Sequence, residues 1–339
     1  MCTQLLRAIA VVIALCMSPT VVAEEAAPSA LDDFKLGGYL SAGLNAHPGG
    51  KTDGAFNEVG LILSWENESR FRFLSELDVE RPLTLNENGT GSGLDTHLGM
   101  SRLYLERIYV DYNLSDKLNL RAGRFLTPAG RWNLGHAAPL VWTTSRPLAT
   151  GNQLFPVGTN GLMLYGALPL KDSESEALEY NFFVGLSKDQ HTDKKDILYD
   201  DIKGARFVLS GKVNWGLSLL EFRESSLNSP SIRMLGVDFL VQHNGWEWSG
   251  EATQRYYSND SDGGSGAYLQ GVAPIAHQWF AVARVETFKS PVTGSSERLV
   301  LGTAWRMTPR HVFKVEYIAG DNERTESPKG LLASFAILF

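Results

Sequence analysis

The sequence predicts an all-β fold, a 16-stranded antiparallel transmembrane β-barrel, and three observations lead there. Segments of about ten residues alternate apolar and polar side chains, which is the length a tilted membrane strand needs. The connectors between those segments alternate between short and long. After residue 23 no run of about 20 apolar residues is available to span a bilayer as a helix, although 43% of the 339 residues are hydrophobic. The mean hydropathy of −0.13 fits apolar residues spread through alternation better than residues gathered into spans.

The first element is an address. In residues 1–23, Arg7 precedes a ten-residue apolar run at 8–17, in the range of a signal-peptide core and too short to span. Val21 and Ala23 sit three and one residues before a cut ahead of Glu24. Both cysteines, Cys2 and Cys16, lie inside this leader. Bulky Leu15 before Cys16 argues against lipid attachment there. The rest of the chain therefore has no disulfide, thiolate metal site or cysteine nucleophile. Loss of Arg7 with the leader takes the net charge from −7 to −8, a poor balance for nucleic-acid binding. Residues 24–34 form a short lead, and the barrel occupies 35–339.

Sixteen candidate strands follow in order: 35–44, 57–65, 70–80, 101–113, 117–125, 159–168, 177–187, 202–212, 215–224, 232–243, 245–256, 265–275, 277–289, 296–307, 309–319 and 330–339. In the eighth, Ala205, Phe207 and Leu209 oppose Gly204, Arg206 and Ser210. In the eleventh, Trp246 and Trp248 oppose Glu247, Ser249 and Glu251. In the fifteenth, Phe313, Val315 and Tyr317 oppose Lys314 and Glu316. A soluble sandwich alternates in the same way, so connector length decides. Short connectors stand at 115–116 and around Asn214, Asn244 and Pro309. Long ones stand at 45–56, 81–100, 126–158, 188–201 and 320–329. Short turns on one side and long loops on the other are the habit of outer-membrane barrels. Tyr and Trp near strand ends, such as Trp215, Trp246, Trp279 and Trp305, fit interfacial girdles.

The chain ends GLLASFAILF, with Phe339 last. An alternating final strand closing on phenylalanine resembles the assembly signal of Gram-negative outer-membrane proteins, and the whole mature chain resembles a porin. RAGRFLTPAGRWN (121–133), followed by SRP (145–147), is similar to the phosphate-selective porin superfamily. The resemblance implies passive diffusion of small hydrophilic solutes or anions across the outer membrane of a Gram-negative bacterium. It implies no cofactor and no nucleic acid. Its implied partners are outer-membrane lipid and lipopolysaccharide, the barrel-assembly machinery and two further copies in a homotrimer. It also implies that the third external loop folds into the lumen, and 126–158 is third among the long connectors.

That loop carries most of the functional information. It holds four prolines and the apolar stretch AAPLVW, and a connector so long is usually functional or disordered. From Lys117 to Lys171 there is no Asp or Glu. Arg124, Arg131 and Arg146, with His136, are the candidate constriction residues, because basic rings are what anion pores use. Arg107, Arg121, Arg206 and Lys212 are candidate basic positions on the pore wall. Three readings stay open: an anion-preferring constriction, arginines opposed by wall acids in a balanced field, and purely structural arginines. The opposing acids would be Glu76, Asp78, Glu80, Asp111, Asp238, Glu251, Glu286 and Glu316. Phe125, Trp132, Trp142 and Phe155 bracket the arginines and read as anchors of the loop on the inner wall. Enzymatic signals are weak. No His pair has metal-ligand spacing and no GxSxG is present. An outer-membrane hydrolase and a non-conducting structural or adhesin barrel remain the alternatives.

Overall fold

The computed structural model describes residues 33–46, 52–87, 94–97, 102–151, 153–170, 176–188, 197–225, 230–290, 294–320 and 329–339. The candidate leader 1–23 lies outside the described residues, as does nearly all of the lead.

Alternation does what the pattern requires. The chain forms β1 (Phe34–Ala46), β2 (Thr52–Glu66), β3 (Phe71–Glu80), β4 (Thr84–Glu87), β5 (Leu94–His97), β6 (Arg102–Ser115), β7 (Leu118–Leu126), β8 (Gly158–Pro169) and β9 (Ala177–Ser187). It continues as β10 (Tyr199–Ser210), β11 (Val213–Glu224), β12 (Ile232–His243), β13 (Trp246–Tyr257), β14 (Asp262–Ala276), β15 (Trp279–Ser290), β16 (Gly294–Thr308), β17 (His311–Gly320) and β18 (Gly330–Leu338). Each wall strand pairs antiparallel with its neighbours, and β1 pairs with β18 to close the ring. Closure leaves no sheet edge, so the backbone of every wall strand finds its partners within the wall.

Sixteen strands form that wall, as the sequence predicts. The two others were not anticipated: β4 and β5 make a four-residue hairpin inside connector 81–100, docked along the upper end of β2 through Asp53 and Asn86. The remaining differences are local. The turn expected at Asn214 sits at Gly211–Lys212, and the Asn214 carboxamide accepts a hydrogen bond from Gly211 N at 3.0 Å to close it. β10 begins three residues early because a bulge at Asp201 (φ 52°) absorbs the offset. Asn244 and Gly245 both take positive φ, which is the two-residue turn an Asn-Gly pair favours.

Parity then sorts the side chains. Leu235, Val237, Leu299, Leu301 and Tyr317 point outward and are exposed, while their neighbours Asp238, Arg298 and Glu316 are buried inside. Exposed apolar residues on a barrel exterior are the face a bilayer covers. Outer aromatics pair at the short-turn end, where Trp279 stacks on Trp305 at 5.2 Å and Trp215 meets Phe239 at 5.6 Å, and Tyr256 and Tyr317 are exposed toward the other. Phe339 follows β18 and exchanges two backbone hydrogen bonds with Gly38, each 2.9 Å, at the seam. The residue read as an assembly signal thus extends the last ladder of the closed ring.

Candidate functional site: the inner loop and the wall around it

The connector from β7 to β8 (127–157) does not rise away from the barrel. It folds against the inner wall, with short 3-10 turns at Trp132–Leu134 and Leu148–Thr150. Its first fastening is apolar. Phe125, Leu154 and Phe155 are fully buried and pack in one cluster with Phe183, Tyr199, Phe222 and Ile232 of the wall. A second cluster sets Trp142 and Ala138 against Val272, Phe280 and Ala304.

The second fastening is polar and bonds to the loop backbone itself. Glu251 accepts from the amides of Arg131 (3.1 Å) and Trp132 (2.6 Å). Glu316 accepts from those of Thr144 (2.9 Å) and Ser145 (2.8 Å), and Glu286 from Leu148 N (2.7 Å). The wall cations take the carbonyls. Lys314 donates to Ala138 (2.8 Å), Val141 (3.4 Å) and Thr143 (3.1 Å). Arg306 donates to Pro139 and Leu140, both at 3.1 Å. Arg284 reaches Ser145 O at 3.0 Å and Arg298 reaches Arg146 O at 2.8 Å. Buried backbone groups of an irregular segment need such partners, and this wall supplies them. Gly130 shows how closely the parts fit. Its φ is +67°, and a Cβ there would stand 2.0 Å from a Glu251 carboxylate oxygen.

The loop also fastens its own ends. Asn133 is fully buried, and its amide donates to Thr127 O (2.9 Å) and Val157 O (3.0 Å) while its carbonyl accepts from Arg146 at 3.3 Å. Arg146 lies over the Trp132 ring at 4.7 Å, and His136 stacks on the same ring at 5.6 Å. The His136 ring comes within 3.5 Å of Glu106 on β6. Burial, then the nearby Arg146 charge, push its pKa from 6.5 down to about 4. The ring is neutral at pH 7, so this approach is not an ion pair.

The expected residues therefore separate. Arg131, His136 and Arg146 belong to the loop group. Arg124 does not join it: it alternates with buried Phe125, lies opposite outward-facing Ile108, and donates to Leu105 O (2.8 Å) and Asn160 Oδ1 (3.1 Å). Arg107, Arg121 and Arg206 face inward, each against an acid. Arg107 pairs with Glu76, and Arg121 binds Asp111 at 2.7 and 2.8 Å beneath the Tyr109 ring. Arg206 binds Asp238 at 2.6 and 3.0 Å across Gly216, where any Cβ would meet that carboxylate at 2.2 Å. Lys212 is exposed in the β10–β11 turn rather than on the wall. Of the aromatics, Phe125 and Phe155 are buried anchors. Trp142 is tied through its indole N–H to Glu247 at 2.9 Å, and Trp132 forms the platform for Arg146 and His136.

Sequence reasoning missed the holding cations Arg284, Arg298, Arg306 and Lys314. The available signal was their position on inward parity in three consecutive strands, β15 to β17.

Two further features complete the lumen. A second group of carboxylates lies on the inner face of β2, β3 and β6. Tyr39 donates to Glu58 (3.3 Å) and Asp78 (3.2 Å), and Tyr104 donates to Glu80 (3.0 Å). A cavity of about 470 Å³ lies between the loop and the short-turn half of β9–β14. Among the described residues, no three His, Cys, Asp or Glu side chains are grouped to hold a metal ion.

No family model matches the chain. A protein of Aquifex aeolicus described only as uncharacterized is 30% identical over 135 residues, 39% of this chain and 28% of its own length. The matched region is thus well under a third of that relative. Solved structures align far more broadly. The Salmonella typhi OmpF complex with daunomycin covers 90% of this chain and 97% of its own at TM-score 0.63 and 8% identity. The outer membrane channel DcaP of Acinetobacter baumannii covers 91% and 97% at 0.58 and 12%. In-vitro folded OmpT of Vibrio cholerae, described as a trimer form, covers 90% and 99% at 0.57 and 10%. The fold of this chain is that of the Gram-negative outer-membrane porins.

Proposed function

We propose that the chain is an outer-membrane porin that lets small hydrophilic solutes diffuse passively through its barrel. One observation carries this reading: a closed ring of sixteen strands is narrowed from within by a loop that the wall itself holds in place. A ring of that size encloses an aqueous channel, and an inner loop sets its bore. The solved relatives support a trimer in the outer membrane of a Gram-negative cell.

Ion preference follows from where charge lies. Arg131 and Arg146 on the loop favour anions. Glu80 and Glu106 on the inner wall oppose them. The arrangement supports a field across the channel, with weak preference for either sign, rather than an anion filter. Reconstitution in a planar bilayer tests both statements. Discrete single-channel steps and a small reversal potential in a KCl gradient are expected. A barrel with no steps would overturn the porin reading. Lipid or peptide hydrolysis lost on replacing one Ser or His would put an enzyme in its place. Strong anion selectivity would restore the anion filter.

A further inference from the structure

The short-turn rim of the barrel divides into two arcs of different charge. Among the described residues, the turns from β2 to β9 carry Glu66, Glu68, Asp116 and Glu176. The four turns from β10 to β17 and their edges carry Lys212, His243, His277, Arg310 and His311, and no acid. Glu247, just past the second of these turns, faces the lumen, where Trp142 and Gln242 hold it at 2.9 and 2.7 Å. Lys212, His243, His277 and Arg310 are exposed. Neither Lys212 nor Arg310 has an acid in ion-pair range among the described residues. His311 is fixed beside Arg310: its Nδ1 lies 2.7 Å from the Thr308 hydroxyl, which also accepts from Arg310 N at 3.1 Å. The long-loop end of the same wall is built differently. There the outward cations Lys203, Arg223 and Lys289 meet Glu221 (3.2 Å), Asp200 (2.9 Å) and Asp262 (2.6 Å). In the acid-bearing arc Arg72 meets Glu66 at 2.9 Å.

The acid-free arc also holds most of the outer tryptophans. Trp215, Trp246 and Trp248 are exposed on the outer face beside its turns, and Trp279 stacks on Trp305. That is five of the eight in the chain. Trp132 and Trp142 belong to the inner loop, and Trp65 to the opposite arc. Indole rings settle at the level of lipid headgroups, so the basic turns beyond them stand at phosphate level. An occupant must match the basic turns and the indole-lined apolar wall next to them, and a lipid with an anionic head spans both. A zwitterionic head brings its own cation to the rim and loses the attraction. One Lys or Arg near an anionic lipid surface raises affinity about fivefold.

We propose that this arc is a docking surface for anionic phospholipid of phosphatidylglycerol type, in the leaflet on the short-turn side. Its headgroups take the charges of Lys212 and Arg310 and the imidazole N–H groups between them, and its acyl chains lie along the outer wall. The proposal goes beyond passive diffusion: it concerns how the barrel sits in its bilayer, and it holds whether or not the channel conducts.

The test reconstitutes the folded full-length barrel in phosphatidylcholine vesicles at low ionic strength and reads tryptophan quenching by a brominated guest lipid. Because the outer tryptophans cluster in the arc, the signal comes mainly from there. Brominated phosphatidylglycerol should quench at about a fifth of the mole fraction that brominated phosphatidylcholine requires. Lys212→Gln combined with Arg310→Gln should bring the two lipids level. Arg70→Gln, exposed in the acid-bearing arc, should leave the preference as in the wild type. Equal quenching by the two lipids in the wild-type barrel overturns the proposal, and so does a preference that survives the double variant. A preference that Arg70→Gln reduces as much as the double variant does also overturns it, because the whole rim would then select the lipid. Single-channel steps without a lipid preference sink this proposal alone, and a lipid preference without steps sinks the porin reading alone.

Discussion

The wall behind the inner loop and the acidic wall that carries Glu106 use the same residue types to different ends. On β13 to β17, Glu251, Glu286 and Glu316 accept from peptide N–H groups, and Lys314 and Arg306 donate to peptide carbonyls. On β2, β3 and β6, Glu58, Asp78 and Glu80 accept from tyrosine hydroxyls of their own wall. In the first region charge is a fastener for irregular backbone. In the second its bonds run to tyrosine hydroxyls, and the remaining charge sets a field on the lumen. A charged side chain in a pore is thus structural or field-generating according to its partner, not its type.

The sharpest way to break that contrast is to remove a fastener. Lys314 is 1% exposed and holds three loop carbonyls. Lys314→Ala leaves those acceptors short and deprives buried Glu316 of its neighbouring cation. A loss of about 3–5 kcal/mol is expected, the scale for breaking a buried charged network from one side. The measurement is thermal or denaturant unfolding of the folded barrel in detergent, paired with channel noise as the loop loosens. A melting temperature equal to that of the wild type would show the carbonyl contacts to be incidental.

How much of this was legible beforehand follows from what each feature depends on. The wall was legible because a two-residue period and turn chemistry are local. Leu235 against Gly236, and the Asn244–Gly245 turn, can be read without knowing any distant partner. The inner loop stood out through its prolines, its apolar run and its missing acids. Its fastening was not legible, because Glu251 to Trp132 and Lys314 to Ala138 join residues 119 and 176 positions apart. Pairing at such separations depends on strand registers that a sequence does not display. Arg124 could have been placed from the sequence: it stands three positions from inward Arg121 on one strand, so plain alternation puts it on the outer face, opposite Ile108. The hairpin β4–β5 escaped notice because four-residue strands are too short to show a period.

A proton probes the point where the two regions meet. His136 belongs to the loop and touches Glu106 of the acidic wall, and its ring is held neutral with a pKa of about 4. In the unfolded chain the same group titrates near 6.5. Between those values the unfolded state takes up the proton and the folded state does not. Folding stability should therefore fall as pH drops through 6.5 toward 4, by up to about 3 kcal/mol from this group. His136→Gln removes the group from both states, so the difference between wild type and variant should grow with pH over that window. Parallel stability profiles for the two proteins would show that the ring is not buried as described.

The smallest effect on stability should accompany the clearest effect on function. Arg131→Gln removes the charge of a partly buried loop side chain whose backbone amide still bonds Glu251, and buried Asp238 keeps its pair with Arg206. Glu80→Gln keeps an acceptor for Tyr104 while removing one charge from the acidic wall. Each should melt within about 1 kcal/mol of the wild type, because neither removes a partner of the loop backbone. Their reversal potentials in a KCl gradient should move apart, Arg131→Gln toward cations and Glu80→Gln toward anions. A channel whose selectivity responds to Arg131 and ignores Glu80 would mean that the acidic wall is screened from the ion path. The loop alone would then set the field, and the two regions would differ in position only, not in role. Opposite shifts of similar size would show that ions pass between them and feel both.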